Sequence, residues 1–362
     1  MKRREFIGKV GLGLAAAGAL APSMAFAKEN KVNWKVVTSW PPKMPCLQEG
    51  TERIAKNIGI ITDGKWKMQV FAGGELVGPL DVFDAVSQGR AVHGATTGMY
   101  YFAGKMPEAQ LFAACPYPFG MFHRELAAWM YQGGGLELYH EMLKPFNMVA
   151  FPMASTGTQM GGWFRKEINS LADLKGLKMR IPGLGGKIMA KLGVNVVNLP
   201  GSEIYTALER GVLDATEWAI PLYDIRAGLF QAAKYYYAPG FQEPTTFVDF
   251  IVNIKAWEAL PAGYQLLFKT ACSDSLNWTI ARSDVANGPI MEDLVANKGV
   301  KLRQYPDDVL KALKAVSAEV MEEECNKHAN LKKVFQVQQK FIRQIRPWLK
   351  ASEWALIKAL DL

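Results

Sequence analysis

Short apolar runs alternate with amphipathic stretches through the first part of the chain. Runs rich in β-branched and aromatic residues predict strands, whereas apolar residues three or four positions apart predict helices. On this basis strands are expected at 34–40, 67–71 and 91–96, with helices at 49–60 and 80–88 between them. Alternation of this kind predicts an α/β fold with a mainly parallel sheet.

The same alternation starts again near Asn147. Further strands are predicted at 148–151, 159–164, 177–181, 194–198, 213–218 and 245–254, and further helices at 187–192 and 202–210. Ser170, followed three positions later by Asp173, has the pattern of a capping box at a helix start, and Ser202 is expected to cap the helix at 202–210. The β-branched and aromatic composition of 245–254 suits a strand that crosses between two lobes.

From Gly263 onward the pattern is almost wholly helical. Pro306 suits the first position of one long amphipathic helix, and 334–360 predicts another that breaks at Pro347. Large apolar residues form a broad stripe along this last segment: Val334, Phe335, Val337, Phe341, Ile342, Ile345, Trp348, Leu349, Trp354, Leu356, Ile357 and Leu360. Such a stripe can pack onto its own lobe or against a second copy of the chain. Its tryptophans and phenylalanines are residue types that anchor interfaces, which favours a homodimer.

Residues 1–27 have the pattern of an export signal. A basic start at 2–4 is followed by an apolar run at 10–21 and by Ala-Phe-Ala at 25–27, which resembles a cleavage site. The run is shorter than the roughly 20 apolar residues that span a bilayer, which argues against a retained membrane anchor. Arg3-Arg4 resembles a twin-arginine signal, and a general secretory signal is the alternative. Either route predicts a periplasmic protein.

The remaining 335 residues are more than one hydrophobic core usually accommodates, so two lobes are expected. We assign the first lobe to 28–150 with part of 245–305, the second to 151–244, and the C-terminal helices to 306–362. The whole chain carries a net charge of +8, of which the predicted signal supplies four basic residues and one acidic residue. The resulting +5 is spread along the chain, which argues against nucleic acid as a partner.

Cysteines stand at positions 46, 115, 272 and 325, too few and too far apart for a disulfide framework. Catalytic motifs are also missing from the sequence. His140-Glu141 is followed by Lys144 where a zinc protease needs a second histidine, and no GxSxG elbow occurs. The glycine-rich 182–187 stretch ends in a lysine, but Ile188 stands where a phosphate-binding loop needs Ser or Thr. An exported α/β oxidoreductase remains the alternative to a binding protein, because a twin-arginine-like signal suits a protein that is exported folded.

Four residues between 150 and 245 carry candidate binding chemistry. Arg180 ends an apolar strand, where the N–H donors of its guanidinium must be paired either with a ligand carboxylate or with a protein acid. Glu217 and Trp218 end another strand, and ligands of open α/β sheets bind beyond the carboxyl ends of strands. Glu217 beside an anion requires a cation between them, unless it faces solvent. Gln159, expected to open a strand, offers an amide oxygen of the kind that sodium or calcium takes.

Two blocks resemble a known family. Ser-Leu-Ala-Asp-Leu-Lys-Gly-Leu-Lys-Met-Arg-Ile-Pro at 170–182 is similar to the DLKG-x-K-x-R-x-P signature of the DctP family, the substrate-binding subunits of tripartite ATP-independent periplasmic (TRAP) transporters. Ala-Leu-Glu-Arg-Gly-Val-Leu-Asp-Ala-Thr-Glu-Trp at 207–218 resembles the next family block. Its Glu-Trp ending is similar to the 2-oxo-acid and lactate-binding branch, as are the segments 100–105 and 236–244. The resemblance covers nearly the whole chain after the signal.

The resemblance implies a two-lobed periplasmic-binding-protein-like α/β fold with a hinge that closes over ligand, and long C-terminal helices. It implies capture of a small monocarboxylate, a 2-oxo acid such as pyruvate or else lactate, for delivery to the TRAP membrane permease subunits. Uptake would draw on an ion gradient and this chain would catalyse nothing. The branch forms dimers by exchanging a C-terminal helix. An orphan or sensor-coupled binding protein would share the same fold.

The resemblance also implies roles for individual residues. Arg180 would hold the ligand carboxylate, while Gln159, Glu217 and the main-chain oxygen of Trp218 would bind a sodium or calcium ion that bridges to the ligand. Tyr100 or Tyr101, together with the ring of Trp218, would line the pocket.

Two positions depart from the family pattern. Gln242 stands where many relatives are expected to carry histidine, and its amide oxygen could still reach the cation. Gly98-Met99 before the tyrosines is the second departure. Both departures leave the identity of the carboxylate open.

Overall fold

The computed structural model describes residues 31–113 and 117–360. The predicted signal peptide and Cys115 lie outside these residues. The strands are β1 Val32–Thr38, β2 Trp66–Phe71, β3 Gly94–Thr97, β4 Met148–Ser155, β5 Gly162–Phe164, β6 Lys178–Arg180, β7 Asn195–Val197, β8 Ala215–Thr216, β9 Tyr235–Ala238, β10 Phe247–Asn253 and β11 Lys301–Gln304.

The helices of the described residues alternate with these strands and then dominate the C-terminal part. They are α1 Leu47–Ile61, α2 Val82–Gln88, α3 Gln110–Ala113, α4 His123–Gln132, α5 Gly135–Leu143, α6 Gly183–Lys191, α7 Gly201–Glu209, α8 Pro221–Arg226, α9 Leu229–Ala232, α10 Ile254–Glu258, α11 Ala262–Asn297, α12 Asp307–Lys327, α13 Ala329–Ala351 and α14 Glu353–Leu360. Short 3₁₀ turns occupy Met99–Phe102, Pro107–Ala109, Lys144–Phe146 and Leu171–Leu174. The predicted α/β fold is confirmed.

The first sheet has the strand order β2-β1-β3-β10-β4. β1 is parallel to β2 and β3, whereas β10 is antiparallel to β3 and β4. Because β3 and β4 are both antiparallel to β10, four of the five strands run in the same direction, and the expected mainly parallel sheet is confirmed with β10 as its reversed strand. The chain leaves this sheet through β4, builds the second sheet, and returns through β10, so the outgoing and returning strands run in opposite directions. β10 lies wholly within the first sheet rather than crossing between lobes, and the segment that precedes it makes the crossing.

The second sheet has the order β11-β9-β5-β8-β6-β7. β6 pairs in parallel with β7 and β8, and β5 is antiparallel to β8 and β9. The strands β9 and β11 were not predicted. β11 follows a long helix and is largely exposed, so it lacks the apolar alternation that identifies a strand. The described chain after Gly263 is otherwise helical apart from short connections, so the expectation of an almost wholly helical segment is confirmed.

Long helices connect and cover the two sheets. α11 packs on β4 of the first sheet and on α8 beside the second, and α12 packs on α6 and α13. Two local predictions fail here. Helix α13 continues through Pro347 and ends at Ala351, and helix α7 begins after Pro200 rather than Ser202. Pro347 is tolerated because proline removes only one hydrogen bond of the helix, near its end.

No helix among the described residues has the length and apolar character needed to cross a membrane. Cys46, Cys272 and Cys325 are free thiols.

Candidate functional site

Arg180 and Glu217 lie side by side between the two sheets. Arg180 is the last residue of β6, and Glu217 directly follows β8, the parallel neighbour in which Thr216 is paired with Arg180. Because the carboxyl ends of parallel strands meet at one edge of a sheet, two side chains 37 positions apart come together. Both are 1% exposed.

The guanidinium of Arg180 is partly engaged by the protein itself. Its Nε donates to the main-chain oxygen of Leu199 at 3.1 Å, and Nη1 donates to the main-chain oxygen of Glu217 at 2.9 Å and to Oε2 of Glu217 at 3.3 Å. The ring of Trp218 lies 5.4 Å from the guanidinium carbon. The third nitrogen, Nη2, is buried and has no hydrogen-bond partner among the described residues. The protein acid considered as the alternative partner is present, yet one donor nitrogen remains for an anion.

Gln159 lies in the loop between β4 and β5, not at the start of a strand as predicted. Its Nε2 donates to Oε2 of Glu243 at 2.7 Å, to Oγ1 of Thr246 at 3.0 Å and to Oγ1 of Thr156 at 3.3 Å. Its Oε1 is buried without a partner in the described part of the chain. The loop that carries Gln159 lies against Gly240, which has no side chain to prevent the contact. A Cβ at position 240 would lie 2.2 Å from the main-chain oxygen of Gln159.

Two carboxylates share this buried environment. Burial raises the pKa of Glu217 well above its usual value, the charge of Glu243 raises it further, and Arg180 opposes the shift. Burial also raises the pKa of Glu243, against hydrogen bonds from Thr246 and Gln159 and the charge of Arg180. Oε1 of Glu217 accepts no hydrogen bond from any described residue. Glu243 was not among the predicted site residues, and the only local signal for it was an acid inside the Phe-Gln-Glu-Pro block.

Asp224 was also missed, and it holds the chain that follows Trp218. Its Oδ1 accepts from the main-chain nitrogen of Ala219 at 3.2 Å, and its Oδ2 accepts from Nε1 of Trp163 at 2.8 Å and from the hydroxyl of Tyr236 at 2.6 Å. Burial raises the pKa of Asp224 to about 7, although all three hydrogen bonds lower it. The position of the Trp218 main chain is thus fixed by a buried network.

Tyr100 and Tyr101 lie on a 3₁₀ turn with their ring centroids 4.6 Å apart. Two cavities of about 10 Å³ flank them. One is lined by Trp40, Leu47, Tyr100, Tyr101, Thr156, Gln159, Trp218, Ala219, Tyr223 and Val248, and the other by Tyr100, Gln110, Pro118, Gly183, Leu184, Gln242 and Glu243. Each has room for about one water molecule. The site is therefore closed in this arrangement and has little free space.

A larger cavity of about 680 Å³ lies between the C-terminal helices α12 and α13 and contains none of the predicted site residues. Its size alone does not make it the functional site, because it lacks the convergent buried charges found around Arg180.

Gln242 lies at the edge of the second small cavity, and its Nε2 donates to the main-chain oxygen of Met160 at 2.9 Å. The glycine-rich start of α6 packs against it: a Cβ at Gly185 would lie 2.8 Å from Cβ of Gln242. These glycines permit close approach of a side chain. They do not form the phosphate cradle that the lysine-ended loop superficially resembles.

The donor set fits a hard cation beside an anion. Oε1 of Gln159 and Oε1 of Glu217 are oxygen ligands of the kind that sodium and calcium prefer, and both are buried without protein partners in the described residues. Glu243 connects these groups, because it is hydrogen-bonded to Gln159 and interacts electrostatically with both Glu217 and Arg180. Nη2 of Arg180 is therefore a cationic donor in the same cluster. A buried anion and a cation could therefore be bound together here.

Two α/β lobes with a closed polar site between them define a two-lobed solute-binding protein. The chain belongs to the DctP family, bacterial extracellular solute-binding protein family 7, whose sequence model matches residues 36–328. The resemblance and the expected location outside the cytoplasm are confirmed. The members of this family are solute-binding proteins, which supports the interpretation of the chain as a binding protein over that of an exported oxidoreductase.

Individual relatives bind carboxylates. The chain is 42% identical over 358 residues to a monocarboxylate 2-oxoacid-binding periplasmic protein of Nostoc sp., covering 98% of this chain and 97% of the relative. A TRAP solute-binding protein of Bordetella bronchiseptica, described as a mixed-occupancy dimer with copurified calcium and picolinate, superposes with a TM-score of 0.88 at 36% identity, covering 91% and 97% of the two chains. A TRAP solute-binding protein of Pseudoalteromonas atlantica with bound sodium and pyruvate superposes with a TM-score of 0.86 at 36% identity, covering 91% and 99%.

Proposed function

We propose that this protein captures a small monocarboxylate, a 2-oxo acid such as pyruvate, together with a sodium or calcium ion. It then delivers the acid to TRAP membrane permease subunits without altering it chemically. The observation that carries this proposal is one buried cluster in which Nη2 of Arg180, Oε1 of Gln159 and Oε1 of Glu217 all lack partners among the described residues. The ligands of the relatives support the same class, with lactate as the alternative.

Each residue has a separate part in binding. Nη2 of Arg180 donates to the ligand carboxylate, and a bidentate contact would share Nη1 with Glu217. The cation is held by Oε1 of Gln159 and Oε1 of Glu217, with the main-chain oxygen of Trp218 and the amide of Gln242 as further ligands. The rings of Tyr100, Tyr101 and Trp218 enclose the pocket and exclude water.

Closure and release follow from where the site lies. The two segments that join the sheets, 156–161 and 239–246, are bonded to each other through Thr156 N to Thr246 O at 3.1 Å and Gln159 N to Glu243 O at 3.3 Å. Gln159 and Glu243 therefore sit where the chain crosses between sheets. A hinge motion at these segments opens the site and separates Arg180 and Glu217 from the tyrosines of the first lobe.

Ligand and cation dependence test the proposal directly. Protein unfolded, dialysed against chelator and refolded should be stabilised by pyruvate only when sodium or calcium is added. At about 100 times the dissociation constant the expected gain is about 2.7 kcal/mol in the free energy of unfolding. Differential scanning calorimetry measures the gain, and methyl pyruvate, which lacks the carboxylate, is the control. Stabilisation by the ester, or a new product in the NMR spectrum of the incubated acid, would contradict the proposal.

Delivery to a permease distinguishes this protein from an orphan or sensor-coupled binding protein of the same fold. TRAP permease genes beside the gene for this chain, and pyruvate uptake that requires both, are expected. Uptake that is unchanged when this gene is deleted would favour the orphan alternative.

We also propose a homodimer held by the C-terminal helix. The apolar stripe divides into two parts: Val334, Ile342 and Leu349 are buried in their own chain, whereas Leu356 and Leu360 of α14 are 62% and 77% exposed. α14 is in contact chiefly with α13 and, through Trp354 and Glu353, with the start of α4. A second copy that covers this apolar end removes it from water.

A truncation that leaves α13 in place tests the dimer. Because α13 contributes buried side chains, cutting after Asn330 would damage the fold, whereas cutting after Ala351 removes only α14. Full-length protein is expected to be dimeric at micromolar concentration by light scattering, and the protein ending at Ala351 monomeric with unchanged pyruvate affinity. Leu356→Asp should act like the truncation, and Lys358→Ala, on the same helix, should not. A monomeric full-length protein would contradict the dimer.

A further inference from the structure

Glu243 is a buried acid that makes no direct contact with the ligand in the proposed binding site. It is 6% exposed, and its Oε2 accepts hydrogen bonds from Nε2 of Gln159 at 2.7 Å and from Oγ1 of Thr246 at 2.6 Å. A carboxylate only accepts, so it fixes which end of the Gln159 amide faces it. The amide oxygen must then point the other way, and that oxygen is the one without a partner among the described residues.

The charges around the site do not balance without a cation. Asp224 is a buried acid whose charge acts on Glu217, so it can only add negative charge to the site. Among the groups closest to the ligand, Arg180 contributes one positive charge, and Glu217 and Glu243 contribute two negative charges when both are ionised, all buried. A bound monocarboxylate adds one negative charge to those of Glu217 and Glu243. The three negative charges then exceed the single positive charge of Arg180 by two. Sodium would leave one of them uncompensated, whereas a divalent ion would neutralise both. An uncompensated buried charge is costly, so the balance favours the divalent ion.

We propose that Glu243 makes this site select calcium over sodium. It supplies the second uncompensated negative charge and, as a positioning residue, it holds the oxygen of Gln159 toward the cation. This inference rests on the proposed carboxylate-and-cation function. The two solved relatives at 36% identity hold calcium in one case and sodium in the other, so membership of the family does not decide the ion.

The charge contribution predicts a definite pattern in Glu243→Gln. Glutamine keeps an acceptor for Gln159 and Thr246 but removes the charge. Since Coulomb attraction scales with the charge of the ion, the loss in binding free energy is twice as large for calcium as for sodium. A loss of about 10-fold in sodium affinity should therefore accompany a loss of about 100-fold in calcium affinity. The calcium-to-sodium preference should fall about 10-fold.

Calorimetric titration of each ion into chelator-treated protein with saturating pyruvate measures both affinities. Wild type should prefer calcium. Glu243→Asp keeps the charge but shortens the side chain, so both affinities should fall while the preference is retained, and this variant decides the matter if Glu243→Gln does not fold. Glu108→Gln, the same change at a buried acid bonded to Asn330 at 3.0 Å, should leave both affinities unchanged.

An unchanged preference in Glu243→Gln, or a wild-type preference for sodium, overturns the role of Glu243 while leaving the proposed function intact. Pyruvate binding that requires no cation at all overturns the proposed function, and the role of Glu243 with it.

Discussion

Replacing Arg180 with alanine is expected to weaken pyruvate binding by about 2–5 kcal/mol, because the ligand charge is left unpaired in a closed site. Burial is what makes the loss large: the guanidinium is 1% exposed, so water cannot take over its hydrogen bonds. The same change removes the positive neighbour of Glu217 and Glu243. The free protein should therefore also unfold at a lower temperature.

Arg180→Lys separates charge from geometry. Lysine restores one positive charge, but it lacks the planar fork whose separate nitrogens reach Leu199, Glu217 and the ligand carboxylate, so affinity should stay far below wild type. Arg210→Ala, at an exposed position of the same lobe, is the matched control and should bind as wild type does. Isothermal titration calorimetry in constant calcium measures all three. Near wild-type affinity in Arg180→Ala would show that the anchor lies elsewhere.

The strands that carry Arg180 and Glu217 could be predicted because their signals are local. A short apolar strand ends at Arg180, another ends just before Glu217, and parallel packing of such strands brings their carboxyl ends together. Helices α3, α4 and α5 of the first lobe were not predicted, whereas the strands and helices predicted between residues 34 and 96 lie within a few residues of their observed bounds. Local pattern and tertiary structure agree at these positions.

The direction of strands and the exposed edge strand could not be predicted in this way. Whether β10 runs parallel or antiparallel to β3 depends on where the chain returns after 91 residues in the second lobe and the crossing segments (156–246). β11 is an exposed edge strand after a long helix, so its own residues give no alternation. Both features are decided by the assembled fold rather than by the segment.

Glu243 and Asp224 are site residues that also could not be predicted from their own segments of the sequence. Glu243 contacts Gln159 across 84 positions of sequence, and Asp224 contacts Trp163 across 61. An acid in a polar loop block is ordinarily exposed, so nothing in its own segment indicates burial. Only the closure of the two crossing segments onto each other makes Glu243 part of the site, and only then does its charge count toward ion selection.

Replacing Glu217 with glutamine is expected to abolish the effect of cations on pyruvate binding. The change keeps the size of the side chain but removes the charge closest to Arg180, and Oε1 becomes a weaker neutral ligand. An anion bound beside a cation depends on that cation for its own charge balance, so losing the metal should weaken pyruvate binding by about 2–5 kcal/mol as well.

The variant need not be unstable. Burial disfavours the ionised form of Glu217, as the raised pKa of this residue shows, so a neutral amide removes a destabilising charge from the free protein. Thermal stability without ligand should therefore be retained or increased in Glu217→Gln while ligand-induced stabilisation is lost. Glu203→Gln, at an exposed position of α7, is the control and should keep both properties of the wild type. Titration of pyruvate with and without calcium, beside thermal melts of the free proteins, decides the matter. Calcium that still strengthens pyruvate binding to Glu217→Gln as much as to wild type would remove Glu217 from the cation site, because a ligand of the metal cannot lose its charge without changing the affinity of the metal.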